Sequence, residues 1–477
     1  MAIGAAFAFL AESVNKLSPL FVVHLAQKNL GTDGFGFARF AINIVEVAAP
    51  LVAFGYWTSG TIAIGRQQKD PASVAALIGD MTGLRLLHAI LAIGTITLCT
   101  SMLPELSPYS GLVVPLSLFL LASAFDCLFV LAGTQRMALA NGLTVAAKTT
   151  SLMAVVAFVR EETDVATYAS LTMGANAIIS LGSFGFVVWR HSLTWPRWPR
   201  MKKLFVGAIP FAATFILLML AERADIFLVE HLMGPKGVGL YSGPALLIQS
   251  LMPVVWSITA LFFSEAVART DEKSSASSAD SQYSTKQHFS AAMLAMLAVV
   301  TPVVVACFLA GGRILALVFD QSFLPMGSTL ALLSIGLLCH ATLAVCGMQV
   351  LVLRGRAHLM NWSLVAAIAT TLAVGYLGFN FFGDYRGIAI GPLAGKAISA
   401  ALCLWFARET VRSLAMIVVG SIGLAGVVMA ISLHLSATLP LLPMLAIGTC
   451  TYVLVLGILQ KNFVLRIIRA IRRPPQI

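Results

Sequence analysis

The residues able to do chemistry are ionisable groups set within apolar sequence. Glu12 and Lys16 stand four apart and Arg39 and Glu46 seven apart, so each pair shares one helix face and can form an ion pair. Asp80, Arg85 and His88 follow, then Asp126, Lys148, the cluster Glu222, Arg223 and Asp225, and lastly Arg313 and Lys396. A charge at the centre of a membrane helix costs at least ~2.5–3.5 kcal/mol on insertion scales, so such groups usually face an interior cavity or one another. Arg39, Asp80, Arg85, Lys148 and Arg313 fall within about two turns of the end of an apolar run, where a side chain can instead reach toward the interface. Glu12 and Lys16 can equally be a structural pair. Asp126 and Asp225 have short stems that cannot leave the apolar layer, which points them toward a cavity.

Together the cations Lys16, Arg39, Arg85, Lys148, Arg223, Arg313 and Lys396 suit an anionic ligand such as a phosphate or pyrophosphate, whose oxygens guanidinium groups bind in pairs. The carboxylates Asp225, Asp126, Glu12 and Glu46 can hold a coupling cation or take up protons. No phosphate-binding loop, zinc-ligand spacing or nucleophile motif accompanies them, so neither enzymatic chemistry nor a resident metal or cofactor is expected. The seven cysteines lie inside apolar runs without paired spacing and read as small buried hydrophobes.

Composition defines the elements that must position these groups. Of 477 residues, 59% are apolar and 11% charged, with a mean hydropathy of +0.91; soluble domains are roughly a quarter charged. In lipid every backbone polar group must be satisfied internally, by helices or by a closed barrel. Long unbroken apolar runs such as 291–310 and 416–433 select helices. Runs of about 20 apolar residues predict fourteen spans, at 3–26, 36–62, 77–102, 111–134, 142–159, 165–189, 204–229, 238–264, 290–318, 326–353, 361–381, 387–406, 414–434 and 441–460. The first run starts at Met1 without a basic leader and reads as a span rather than a cleaved signal.

With the N-terminus in the cytoplasm, segments on that side hold twenty Lys and Arg, and the opposite side holds four: Lys28, Arg160, Lys236 and Arg386. Cytoplasmic loops carry such an excess, so both termini are expected in the cytoplasm. The formal net charge of +11 is then a topology signal; its spread over many short loops argues against nucleic acid as a partner. The Ser-rich stretch 270–288 reads as a flexible loop. The tail 463–473 reads as a basic amphipathic segment on the anionic membrane face. Trp195-Pro196-Arg197-Trp198-Pro199-Arg200 reads as an interfacial anchor.

One pattern recurs. Gly31-Thr32-Asp33-Gly34-Phe35-Gly36-Phe37 and Gly234-Pro235-Lys236-Gly237-Val238-Gly239-Leu240 both read G-x-x-G-Φ-G-Φ, with Φ apolar, at an offset of 203. Pro50 and Pro253 stand fourteen residues past the last glycine of each copy. The glycines permit a tight turn and the prolines a kink in spans 2 and 8. Six spans separate the copies, so they keep the same orientation and relate by an axis along the membrane normal. The expected fold is an all-α polytopic integral membrane protein of about 14 transmembrane helices. Residues 1–203 form an N-lobe of spans 1–6, residues 204–410 a C-lobe of spans 7–12, and residues 411–477 spans 13–14 with the tail. A hydrated cleft between the lobes would receive the charges.

These features, with Asp225-Ile226-Phe227-Leu228 running into Gly237-Val238-Gly239-Leu240-Tyr241 and with Gly387-Ile388-Ala389-Ile390-Gly391 opening span 12, resemble the polysaccharide-transport branch of the multidrug/oligosaccharidyl-lipid/polysaccharide (MOP) flippase superfamily, which includes the O-antigen (Wzx-type) flippases. The resemblance implies a flippase of the bacterial cytoplasmic membrane that moves a polyprenyl-diphosphate-linked oligosaccharide, an O-antigen or exopolysaccharide repeat unit, by alternating access. It implies a cationic lumen, matched in type by the in-span Lys and Arg, and an acidic residue on span 7, matched by Asp225, that takes part in coupling to H⁺ or Na⁺. Membrane lipid, the lipid-linked oligosaccharide and other polysaccharide-assembly membrane proteins are the implied partners. The alternative is a cation-coupled exporter of small organic molecules, from the drug-exporting branch of the same superfamily.

Overall fold

The computed structural model describes the backbone of residues 2–67, 70–134, 136–191, 193–272, 278–352, 354–408 and 415–460, and the side chains of these except 2–19, 58, 66, 137, 210, 253, 260–261, 263–272, 278–288, 349 and 415–419. The described chain is helical throughout and contains no strand. Its helices are α1 (Ala2–Ala53), α2 (Tyr56–Gln67), α3 (Pro71–Met102), α4 (Ser110–Ser117), α5 (Phe119–Ala124), α6 (Leu128–Gly133), α7 (Met137–Phe158), α8 (Val165–Arg190), α9 (Trp198–Glu272), α10 (Ser278–Val318), α11 (Gly327–Cys346), α12 (Ala357–Phe382), α13 (Tyr385–Phe406), α14 (Ala415–Leu435) and α15 (Leu441–Leu459).

Each predicted span falls on helix. Spans 1 and 2 lie in α1 and α2, span 4 in α4–α6, spans 7 and 8 in α9, span 10 in α11 and the π-helix Gly347–Val352, and the others in one helix each. Among the described residues, ten helices are long and apolar enough to cross a membrane, or eleven if Trp198–Ile209 and Phe211–Thr259, bent by 52° at a short break, form one span. Pro210 occupies that break and lacks the N–H that would continue the helical ladder. Leu91 and Leu98 of α3, Phe158 of α7, Leu377 and Phe381 of α12 and Ile458 of α15 are all exposed, as faces solvated by lipid tails must be. The protein is therefore a multi-pass membrane protein.

Besides the bend in span 7 and the π-helical end of span 10, span 2 breaks near the kink expected from Pro50 and span 4 breaks without such a signal. Span 2 breaks at Phe54 (φ 41) and Gly55 (φ 69), one turn beyond Pro50, where the Phe54 N–H donates to the Pro50 carbonyl at 2.9 Å. Span 4 is in three pieces, divided at Leu118 and at Phe125-Asp126-Cys127. Pro115 lies inside α4, and the second break survives because side chains replace the lost backbone bonds, as set out below.

The chain forms two compact units, Met1–Gly243 and Pro244–Ile477. The divide lies inside α9, one span beyond the lobe boundary expected at 203/204. The first unit contains a core of Tyr56 and Ile64 from α2, Ile78 and Met81 from α3, Phe129 and Leu131 from α6, and Met201 and Ala208 from α9. In the second unit α12 and α13 meet backbone to backbone. A side-chain carbon on Gly387 would strike Gly378, one on Gly391 would strike Thr371 and Gly375, and one on Gly395 would strike Ala367 and Thr371. Glycines at 387, 391 and 395 make one stripe at four-residue spacing, the small-residue device that brings membrane helices close where lipid offers no hydrophobic drive. A separate core joins Ala310 of α10 with Met429 and Leu433 of α14 and Met444 and Tyr452 of α15.

Candidate functional site

The recurrent glycine turns organise the first unit. Gly31 (φ 67, ψ 172) and Gly234 (φ 67, ψ −168) interrupt α1 and α9 with matching backbone geometry, in a region that residues other than glycine rarely occupy. The turns also pack on each other reciprocally. A side-chain carbon on Gly36 would strike the Pro235 carbonyl, and one on Gly239 would strike the Thr32 carbonyl. Adding 203 to Thr32 gives Pro235 and adding it to Gly36 gives Gly239, so the contact has a local two-fold character. The Gln27 amide donates to the Gly239 carbonyl at 3.5 Å across the same junction.

Below this junction the second half of α1 faces the first half of α9. Aromatic rings interlock there: Phe40 with Phe227 (5.4 Å, edge to face), Phe40 with Tyr109 (4.7 Å) and Phe37 with Tyr109 (4.4 Å, stacked). This packing fixes a charge cluster. Arg223 of α9 pairs with the Glu46 carboxylate of α1 at 2.5 Å and donates to the Asn43 side-chain oxygen at 3.1 Å. Arg39 pairs with the same Glu46 oxygen at 3.5 Å. Two guanidinium groups thus share one carboxylate, leaving one net positive charge. The relative exposures of Arg39, Arg223 and Glu46 side chains are 7%, 17% and 25%. Arg39 Nε and Asn43 Nδ2 are buried and have no hydrogen-bond partner among the described residues. Unused buried donors beside surplus positive charge are what an anionic oxygen or a bridging water would satisfy.

Asp225, two residues from Arg223, is buried and accepts the Tyr241 hydroxyl at 2.7 Å and the Ile226 N–H at 3.0 Å. Further along α9, Glu230 accepts the Tyr109 hydroxyl at 2.8 Å. Asn43, Tyr109 and Glu230 were not singled out in the sequence, and Tyr241 was named only within the stretch 237–241 that carries the family resemblance. Only Asn43 carried a usable signal, standing four residues past Arg39 on the Arg39–Glu46 face.

The other candidates take different positions. The Arg85 guanidinium donates to the Asp126 backbone carbonyl and lies over the Phe129 ring at 5.2 Å. The Asp126 carboxylate accepts the Leu128 N–H at 2.8 Å, and the Ser183 hydroxyl accepts the Cys127 N–H at 3.0 Å. These three side chains repair the break between α5 and α6, a task that accounts for charge at this depth without a ligand. In the second unit Arg313 donates to the carbonyls of Ala437 (3.1 Å) and Leu439 (2.7 Å), closing the turn between α14 and α15. Lys148 on α7 and Lys396 on α13 are half-buried, the latter against Gly336 of α11. The side chains of Glu12 and Lys16 lie outside the described residues, as do the 273–277 part of the Ser-rich loop and the tail 463–473. The structure therefore gathers Arg39, Glu46, Arg223 and nearby Asp225 into one region of the first unit, with Arg85 and Asp126 as a separate pair.

A family model described as "Polysaccharide biosynthesis protein" matches residues 2–263. No curated protein matches the chain in sequence. Among solved structures, the lipid II flippase MurJ in an inward closed conformation aligns with a TM-score of 0.71, covering 97% of this chain and 100% of that one at 10% identity. An inward-facing multidrug resistance MATE family transporter of the MOP superfamily aligns with a TM-score of 0.57, covering 85% and 95% at 15% identity. A eukaryotic MATE transporter aligns with a TM-score of 0.59, covering 87% and 97% at 16% identity. At these identities the likeness establishes the fold.

Proposed function

The chain belongs to the polysaccharide biosynthesis protein family and has the fold of MOP superfamily transporters, and from that premise we propose that it is a flippase for a polyprenyl-diphosphate-linked oligosaccharide. The cargo would be an O-antigen or exopolysaccharide repeat unit, carried across the bacterial cytoplasmic membrane by cation-coupled alternating access, with both termini in the cytoplasm. The observation that carries this reading is the Arg39–Glu46–Arg223 cluster with its unused donors Arg39 Nε and Asn43 Nδ2. Glu46 neutralises one of the two guanidinium groups and so stands in for part of an anionic cargo. A diphosphate entering the cluster accepts from Arg39, Asn43 and Arg223 and competes with Glu46 for them, so binding and release become an exchange between two anionic partners. The lipid tail stays in the bilayer. In this reading Asp225, whose carboxylate accepts the Tyr241 hydroxyl, would exchange a proton or Na⁺. The membrane potential supplies about 2.3 kcal/mol per charge per 100 mV, so one or two coupled cations suffice to bias the cycle.

The test is translocation of a lipid-linked oligosaccharide in proteoliposomes carrying the purified protein, read by enzymatic or lectin access to the sugar. Wild type should transfer the sugar to the far leaflet, and Arg39→Ala and Arg223→Ala should fall at least tenfold while reconstituting normally. Translocation unchanged in both variants would refute the cluster as the cargo site. Export of small organic cations in place of lipid-linked sugar would transfer the protein to the drug-exporting reading.

A further inference from the structure

The linker between α8 and α9 is built onto a receiving face of α3. The Thr194 carbonyl lies where a side-chain carbon on Gly79 would have to sit, and the Pro196 ring would meet one on Gly83 at 2.9 Å. Between those glycines stands Asp80, buried to 2% exposure. Its carboxylate accepts the Arg197 N–H at 2.8 Å and pairs with the Arg200 guanidinium at 2.8 Å. The Thr194 hydroxyl donates to the Ala75 carbonyl at 3.4 Å. A buried carboxylate beside two glycines thus pins the strap through residues 194–200.

What the strap holds outward is unusual for a surface in water. Trp189, Trp195 and Trp198 are 81%, 90% and 64% exposed. Arg190, Arg197, Lys202 and Lys203 are exposed beside them, and residues 189–203 contain no Asp or Glu. Burial, then the positive Arg190 and Arg136 nearby, hold the His191 pKa below its ordinary value. Indole rings with a polar edge favour the headgroup layer. Lys and Arg at that level attract the anionic lipid of the cytoplasmic leaflet, the side to which the Lys and Arg asymmetry assigns this linker.

We propose that residues 189–191 and 193–203 form a docking surface for the headgroups of anionic phospholipids, presented as a strap by Asp80 together with Gly79 and Gly83. The three tryptophans sit between headgroups while Arg190, Arg197, Lys202 and Lys203 take phosphate oxygens. The occupant is a lipid because the charges come with exposed indoles at the ends of two spans, a combination that an acidic protein segment would not require. Asp80 acts through Arg197 and Arg200 and is a positioning residue.

The experiment places the full-length protein in bilayers of phosphatidylcholine alone or mixed with phosphatidylglycerol. Thermal unfolding of wild type should rise in temperature as phosphatidylglycerol replaces phosphatidylcholine, and the rise should shrink in high salt. The exposed pair K202E/K203E should lose at least half of the rise, whereas Arg223→Ala should keep it, separating this surface from the cargo cluster. Brominated phosphatidylglycerol should quench tryptophan fluorescence more than brominated phosphatidylcholine. W189F/W195F/W198F should remove most of that difference, and Asp80→Asn should reduce it with every tryptophan still present. Equal quenching by the two lipids in wild type, or a full phosphatidylglycerol response in K202E/K203E, would overturn the proposal and leave an acidic protein as the partner to seek.

Discussion

Changing Glu46 and Arg223 singly and together separates a working charge cluster from an incidental one. At separations of 2.5 and 3.5 Å and an effective dielectric near 20, Coulomb's law gives gross attractions of about 6–7 and about 5 kcal/mol for Glu46 with Arg223 and Arg39. Desolvation of three groups that are each at least three-quarters buried offsets most of this, and removing one partner of such a pair leaves the other charge unpaired, at up to ~3–5 kcal/mol. Glu46 keeps Arg39 when Arg223 is lost, and it is a quarter exposed, so Arg223→Ala should destabilise the protein by about 1–3 kcal/mol, below that ceiling. Glu46→Gln should have a similar effect by leaving two guanidinium groups around a neutral amide. The double variant should fall short of the sum by about 1–3 kcal/mol, the coupling of directly interacting residues. Equilibrium unfolding in detergent measures this cycle. Function gives the second axis: Glu46→Gln raises the cluster from one net positive charge to two, so lipid-linked cargo should bind more tightly and turn over more slowly, whereas Arg223→Ala should weaken binding. Additivity within about 0.3–0.5 kcal/mol would show no coupling, and cargo binding weakened equally in both single variants would refute the exchange between Glu46 and cargo.

Asp225→Asn should abolish translocation at normal membrane insertion, because the amide still accepts from Tyr241 but cannot bind or release a proton; full complementation of polysaccharide export by this variant would remove Asp225 from coupling. Asp126→Ala should lower stability by about 0.5–2 kcal/mol, the range for a lost helix cap, with translocation per folded molecule unchanged, since the carboxylate serves the Leu128 N–H. Gly36→Ala and Gly239→Ala should each impair folding or transport, because the added methyl meets the Pro235 or Thr32 carbonyl; a control Gly94→Ala, with open space around it, should behave as wild type in the same complementation assay. Arg313→Ala should reduce thermal stability by releasing the Ala437 and Leu439 carbonyls and leave cargo affinity unchanged in a binding titration.

Much of the fold was legible because lipid leaves the backbone few options. Apolar run length placed the helices, and the repeat at an offset of 203 placed the paired turns whose glycines share one backbone conformation. Arg39 and Glu46 were legible as a pair from spacing alone. That Arg223 joins them was not, because no spacing rule connects residues 177 positions apart, the gap between Glu46 and Arg223; the aromatic packing of Phe40 on Phe227 sets that contact. The break at Phe54–Gly55 was legible only as the kink expected from Pro50, and the break at Phe125–Cys127 was hidden. Hydropathy averages over a window, and a break repaired by Arg85, Asp126 and Ser183 leaves the average unchanged.

That repair shows why an intramembrane charge is an ambiguous signal. A polar group in lipid must be satisfied, but the satisfying partner can be either a ligand or the backbone itself. Arg85, Asp126 and Arg313 are satisfied at least in part by peptide groups that a broken or ended helix has left open, and Asp80 by the strap that crosses it. Such charges are consumed by the fold and would be needed in a protein that carried nothing. Arg39, Asn43, Glu46 and Arg223 differ, because among the described residues their side chains bond to one another. They repair no break: α1 is helical through residues 39–46 and α9 through 223. A cluster that the backbone does not require, that sets two guanidinium groups on one carboxylate and that leaves two buried donors unused is the part of this molecule on which the proposal of an anionic cargo rests.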